Sequence, residues 1–290
     1  MANTYYVDGR FVSDQEAVLP LNDLGILRGY GVFDFMRTYG GRPIFAREHI
    51  GRLFRSAGQV GLALPWTEEE LLGLVQETLR RNRHGESGIR LLITGGPSAD
   101  FITPLGHPRL VIMVTPLAPL PEAVYRDGAA VVTVPHQRSL PDAKSTDYIR
   151  AILSLGEARR RQAIEALYTD GEGWVTEGTT SNLFAVIGGR LATPGEEILM
   201  GITREKVLAL ARDILPVEMR RLKRSELQTA EEVFITSSSR MIVPVVRVDG
   251  VPVGGGRPSP YTRRLMEAFD AYTRGLAAAA RPPAGSGVPS

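Results

Sequence analysis

The apolar residues of this chain fall in short runs closed by tight turns, and that spacing limits the fold more than any other feature. Tyr5-Tyr6-Val7 and Arg10-Phe11-Val12 flank Asp8-Gly9, a pair suited to the left-handed backbone of a two-residue hairpin turn. Phe35-Met36-Arg37-Thr38-Tyr39 and Pro43-Ile44-Phe45 flank Gly40-Gly41-Arg42 in a similar way. Helical spacing follows: Ile50, Leu53, Phe54, Ala57 and Val60 share one face. Thr67 with Glu70 then forms a capping-box signature ahead of Leu71, Leu72, Leu74 and Val75. Strand-like runs come next at Ile89 to Thr94 and Leu110 to Val114. Hairpins and paired helices in this order lack the regular βαβ alternation of a doubly wound sheet and imply an α+β fold.

From Thr115 to Gly128 the chain carries Pro116, Pro119 and Pro121 and no periodicity, the pattern of an interdomain linker. Strands resume at Ala129–Val134, with a helix expected from about Asp147. Further strands are expected at Ala166–Thr169, Trp174–Thr176, Phe184–Ile187, Glu232–Thr236 and Val245–Val248. A helix is expected after Thr203 and a last one over Pro260–Thr273. The expected division is a first domain over 1–115, a linker over 116–128, a second domain over 129–275 and a disordered Ala/Pro/Gly/Ser-rich tail over 276–290.

Composition removes several chemistries. With no Cys there is no disulfide, thiolate metal site or catalytic thiol, and the four His (49, 84, 107, 136) form no metal-spaced pair. The opening Met-Ala-Asn-Thr-Tyr-Tyr has neither a basic region nor an apolar run, and no apolar run reaches membrane-spanning length. A cytoplasmic protein without membrane contact is therefore expected. Net charge is only +2. The basic stretches Arg159-Arg160-Arg161 and Arg220-Arg221-Leu222-Lys223-Arg224 lack interleaved aromatic residues, which favours solvated helix faces over a nucleic-acid surface.

Among 34 cationic residues only Lys144, Lys206 and Lys223 are Lys, and the other 31 are Arg. Arg does not lose its proton to become a nucleophilic amine, so any amine chemistry has three candidates. Lys206 lies in the charged first turn of a helix and Lys223 in a run of like charges, both expected at a solvated surface. Lys144, in Leu140-Pro141-Asp142-Ala143-Lys144-Ser145-Thr146-Asp147-Tyr148, stands where strand gives way to helix among small neighbours. Pattern alone favours an exposed loop lysine there.

Taken together, Lys144-Ser145-Thr146-Asp147-Tyr148, Val175-Thr176-Glu177-Gly178-Thr179-Thr180-Ser181-Asn182-Leu183-Phe184 and Gly201-Ile202-Thr203-Arg204 resemble the class IV aminotransferases, the pyridoxal-phosphate (PLP) enzymes of fold type IV. The resemblance runs in order from about Tyr5 to Phe269. It implies a two-domain α+β fold, with a smaller N-terminal α/β domain, a larger barrel-like C-terminal domain, and a homodimer. PLP is an aldehyde and requires an amine to hold it as a Schiff base. By resemblance that amine is Lys144, while Glu177 keeps the cofactor ring nitrogen protonated and Tyr148 bonds the ring hydroxyl. The resemblance gives the phosphate to Arg52, Ser238 and the helix opening at Ile202 and Thr203, with Thr203 as its N-cap, since a helix N-terminus attracts anions. Helical spacing by itself puts Arg52 off the apolar stripe, facing solvent.

The subfamily patterns diverge around the substrate. Branched-chain aminotransferases follow the lysine with a Gly-Gly-Asn-Tyr-like stretch and carry a Gly-Thr-Ala turn near the substrate carboxylate, where this chain has Ser237-Ser238-Ser239. The usual D-amino acid transaminases use a Tyr and an Arg-x-His set, where this chain has Phe33 and Thr94-Gly95-Gly96-Pro97. Arg28 and Arg90 remain as carboxylate ligands, with Ser239 beside them, an arrangement that resembles a less usual, arginine-using group of D-amino acid transaminases. Arg90 lies in a strand-like run among Ile and Leu, where an unpaired guanidinium is costly. For both arginines an internal salt bridge is the alternative, Arg28 with Asp23 or Asp34. The expected reaction moves the amino group of a D-amino acid to 2-oxoglutarate or pyruvate. The alternatives are an L-branched-chain aminotransferase, then an (R)-amine transaminase or an aminodeoxychorismate lyase.

Overall fold

In the computed structural model of the chain, which describes residues 2–279, Asp8 and Gly9 both take positive φ (47° and 95°). They join β1 (Thr4–Val7) to β2 (Arg10–Ser13) as the turn chemistry requires. Gly40 and Gly41 (φ 56° and 73°) turn β3 (Gly31–Tyr39) into β4 (Arg42–Pro43), leaving Arg42 in the strand. With β5 (Ser87–Thr94) and β6 (Arg109–Pro116) these strands form a sheet of order β2-β1-β6-β5-β3-β4 in which every neighbouring pair is antiparallel. A short helix, α1 (Leu24–Arg28), leads into β3, its N-cap Asp23 accepting from Gly25 N–H. Helices α2 (Ala46–Gln59) and α3 (Glu68–Arg80) cover one face of the sheet, and α3 opens on the Thr67/Glu70 capping box. Val32 and Met36 of β3 and Ile89, Leu91 and Ile93 of β5 are fully buried there with Ile50, Leu53, Leu71 and Val75. Each such side chain contributes about 1.5–3 kcal/mol of burial free energy. The alternate residues of β3, Phe33 and Phe35, lie on the opposite face.

The Pro-rich stretch is not wholly irregular. Pro121 precedes α4 (Glu122–Asp127), a helix too short to show an apolar period in sequence. Next come β7 (Ala129–Pro135), α5 (Ile149–Arg160), β8 (Glu165–Thr169), β9 (Trp174–Gly178), β10 (Asn182–Ile187) and β11 (Arg190–Thr193). They are followed by α6 (Ile202–Ala211), β12 (Val217–Met219), β13 (Leu222–Lys223), α7 (Arg224–Thr229), β14 (Glu232–Ser237), β15 (Met241–Val248), β16 (Val251–Pro252) and α8 (Pro260–Ala279). The strands make a second sheet of order β12-β11-β10-β14-β15-β7-β8-β9-β13, with β16 paired to β15. Helices α6 and α8 close one side of it through Val207, Leu265 and Phe269 against Phe184 and Phe234. Helix α8 outruns the expected end at Thr273. Leu276–Ala279, assigned to the tail from composition, continues the helix, as an Ala-rich segment does once Leu265 and Phe269 anchor it. The rest of that tail, 280–290, lies outside the described residues.

One segment, between β7 and α5, runs against the first sheet and shapes the site. Phe33 N–H donates to the Lys144 carbonyl (2.9 Å) and Thr146 N–H to the Gly31 carbonyl (3.0 Å), so residues 144–146 run along β3. Lys144 N–H donates to Ser56 Oγ on α2 (3.0 Å). The basic stretches engage local acids: Arg160 pairs with Glu157, Arg161 and Arg224 with Asp249, Arg221 with Asp170, and Arg220 with Glu218 and Glu226. No helix among the described residues is long and apolar enough to cross a membrane.

Candidate active site

Both sheets contribute to a cavity of about 240 Å³. Phe33, Phe35 and Arg90 line it from the first sheet, and Glu177 and the turn over 178–181 from the second. The start of α6 and residues 236–239 at the end of β14 complete the second wall, while Lys144 and Tyr148 enter between them. Nine of the ten residues singled out from sequence line this cavity: Arg52, Arg90, Lys144, Tyr148, Glu177, Ile202, Thr203, Ser238 and Ser239. Arg28 does not. It is exposed at the end of α1, donates to the Leu27 carbonyl (2.9 Å) and borders a neighbouring cavity that Tyr148 also lines. Neither salt bridge considered for it forms, because Asp23 caps α1 and Asp34 is engaged by Arg52.

The Lys144 amine lies 4.7 Å from the centroid of the Phe33 ring. Burial, and then the positive charge of Arg52, push its pKa down from the usual 10.5 to about 7, which makes a neutral nucleophile accessible near neutral pH. The other two lysines lie outside the cavity. Lys206 is not freely solvated: it bridges Glu48 and Glu205 at 3.1 Å each. Lys223 donates to the Glu172 carbonyl.

Glu177 is buried near the end of β9. Its Oε1 accepts from Arg138 Nη1 (2.8 Å) and its Oε2 from Leu199 N–H (2.9 Å). Burial raises its pKa, and Arg138 offsets that only in part. Arg138 escaped the sequence reading, although it also donates to the carbonyls of Leu140, Pro141 and Ala143 and so ties the loop before Lys144 to Glu177. Its partners are remote in sequence or are main-chain atoms, so no local pattern marks it.

At the opposite end α6 begins with Gly201 as N-cap, and no side chain among the described residues caps it. Thr203 is therefore the second helical residue and not the cap, because Gly201 already has the extended backbone of a cap (φ −71°, ψ 134°). Ser237 Oγ and Ser239 Oγ lie 3.4 Å apart, and Thr236 Oγ1 is buried without a hydrogen-bond partner among the described residues. Arg52 is only 5% exposed, contrary to its solvent-facing expectation. Its Nε and Nη2 each donate to Asp34 at 2.8 Å, and Nη1 lies 3.5 Å from the Met200 carbonyl. A stripe drawn from apolar residues alone overlooks an arginine whose charge is met inside the core.

A model of the family described as Amino-transferase class IV matches residues 31–248. The chain belongs to the class IV aminotransferases. A putative branched-chain-amino-acid aminotransferase of Methanocaldococcus jannaschii is 35% identical over 274 residues, covering 91% of this chain and 94% of that protein. A D-alanine aminotransferase of Staphylococcus aureus strain COL is 34% identical, covering 92% and 96%. The T.th. branched-chain amino acid aminotransferase, solved with pyridoxamine 5'-phosphate, superposes with a TM-score of 0.89 at 31% identity, covering 95% of each chain. The α+β fold is thus fold type IV, and this aminotransferase is PLP-dependent. The cavity fits that cofactor: an uncapped helix start and the unpartnered Thr236 hydroxyl await an anion, and a depressed lysine amine awaits an aldehyde.

Proposed function

We propose that this class IV aminotransferase takes its amino group from a D-amino acid and delivers it to a 2-oxo acid, 2-oxoglutarate or pyruvate. One observation carries the reading. The Arg90 guanidinium reaches the cavity with no hydrogen-bond or ion-pair partner among the described residues and lies 5.2 Å and 5.7 Å from the Phe33 and Phe35 ring centroids. Arg90 is exposed, which removes the desolvation cost attached to an unpaired charge and leaves its bidentate edge free for a carboxylate. This edge belongs to the first sheet, whereas the Ser237–Ser239 turn, the family's other carboxylate position, belongs to the second. Exchanging the sites of carboxylate and side chain while the α-hydrogen still faces Lys144 selects the opposite enantiomer.

When bound, PLP supplies an electrophilic carbon and an electron-withdrawing ring. Lys144 would provide the amine that holds it, and the same Nζ would carry the substrate proton. Glu177 would hold the ring nitrogen protonated, its two oxygens bonded by Arg138 and by Leu199 N–H, which offset in part the rise that burial imposes on its pKa. Arg52, Ser238 and the N–H groups of Ile202 and Thr203 would receive the phosphate, and Tyr148 would bond the ring hydroxyl. Arg28, supplied by the second copy of a homodimer, would join Arg90 at the carboxylate, and Ser239, on the second sheet, would face the substrate's other substituent. Exposed Ile149, Ile152 and Leu153 on α5 provide apolar surface for that pairing.

Similarity to branched-chain enzymes keeps an L-branched-chain activity as the second reading. A donor panel of D-alanine, D-glutamate, L-leucine and (R)-1-phenylethylamine against 2-oxoglutarate decides between them. A D-amino acid is expected to turn over fastest, and faster turnover of L-leucine than of either D-amino acid overturns the proposal.

A further inference from the structure

In the pleat of β3, Val32, Asp34 and Met36 occupy the same face, the one that packs against α2. Asp34 is therefore a carboxylate at a core position, with 0% exposure. An ionised group there is costly unless it is fully paired, and this one is. Oδ2 accepts from Arg52 Nε (2.8 Å), and Oδ1 accepts from Arg52 Nη2 (2.8 Å) and from the Nδ1–H of His49 (2.7 Å). The bidentate contact fixes the guanidinium plane and occupies its Nε/Nη2 edge. What remains is Nη1, whose contact to the Met200 carbonyl is long at 3.5 Å, on the side where Arg52 lines the cavity beside Ile202 and Thr203. A guanidinium held by one carboxylate on one edge and left open on the other is an oriented receptor for a second anion. His49 is 2% exposed, and the Phe35 N–H also donates to Oδ1 (2.7 Å).

We propose that Asp34 is a positioning residue for the cofactor phosphate: it acts through Arg52, aims the free edge of the guanidinium into the cavity and never touches the cofactor itself. The inference rests on the reading of Arg52 as a phosphate ligand, and the test separates the two. The full-length chain is loaded with PLP or with pyridoxal, which has the same ring and aldehyde and no phosphate, and release of each is followed by absorbance. For Asp34→Asn, PLP affinity is expected to fall about ten- to hundredfold, the range seen when an orienting partner is lost at other ion sites, with pyridoxal affinity unchanged. A general structural role would weaken both equally and would overturn the inference. Asp34→Ser, which leaves room for water beside Arg52, gives the same comparison if the Asn variant does not fold. Arg52→Gln supplies the second arm. If it loses the preference for PLP while neither Asp34 variant does, Asp34 has no positioning role and the reading of Arg52 stands. If Arg52→Gln keeps the preference, the phosphate reading fails and the inference with it. In the Asp34→Asn, Arg52→Gln double variant the PLP loss should match that of Arg52→Gln alone, whereas losses that multiply mean that Asp34 acts by another route.

Discussion

Replacing Arg90 with Leu separates the proposed carboxylate grip from every structural role the residue has. The guanidinium has no hydrogen bond or ion pair to lose among the described residues, only the faces of Phe33 at 5.2 Å and Phe35 at 5.7 Å. Exposed contacts of that kind contribute about 0.5–1 kcal/mol each, and Leu retains apolar contact with both rings, so the fold should lose about 1 kcal/mol at most. A charge-assisted bond to a substrate carboxylate contributes about 1.5–3 kcal/mol, which is about a 10- to 150-fold change in kcat/KM. The acceptor also carries a carboxylate, so the donor half-reaction is measured alone, from the absorbance change of the holoenzyme on mixing with donor. D-alanine and D-glutamate should slow by that factor, and (R)-1-phenylethylamine, which has no carboxylate, should not. Arg90→Lys, which keeps the charge and loses the planar fork, should fall between. Equal slowing of all donors by Arg90→Leu would refute the grip.

Two further outcomes follow from groups around the lysine. Arg138→Met strips Glu177 of its 2.8 Å partner and the loop over 140–143 of its shared donor. Urea denaturation should register a loss of about 3 kcal/mol, less when Glu177→Gln is already present, because breaking a buried pair costs mostly through the charge left behind. In the cofactor-free protein the Lys144 amine is lowered to about 7 while the unfolded chain keeps the ordinary 10.5. Between those values the unfolded state binds the extra proton, so stability rises with pH through that window. A urea series across pH checks this, and Lys144→Met should flatten the rise.

Features set by neighbours in the chain are legible in the sequence: the Asp8-Gly9 turn, the Thr67/Glu70 box and the helix starting near Tyr148. The short strands β11, β12 and β13 are not, since two to four residues cannot display a period. Arg52 is assigned by resemblance, against its own helical phase. Asp34 carries an unread signal, because a carboxylate in phase with Val32 and Met36 asks for a buried cation. Arg138 offers none, its partners being assembled only by folding. Arg28 is equally mute within a single copy, where its one hydrogen bond among the described residues goes to the Leu27 carbonyl.

The hydrogen bonds that lay residues 144–146 along β3 also bear on how such an enzyme can be re-engineered. Phe33, Phe35 and Arg90, the wall proposed to read the substrate, share a backbone ladder with the seat of the amine. A chimaera that imports another family member's first sheet would import a new aim for Lys144 along with a new specificity. Grafting at Ser237–Ser239 carries no such penalty, because that turn hangs from the second sheet and can change while the ladder beneath the lysine stays in place.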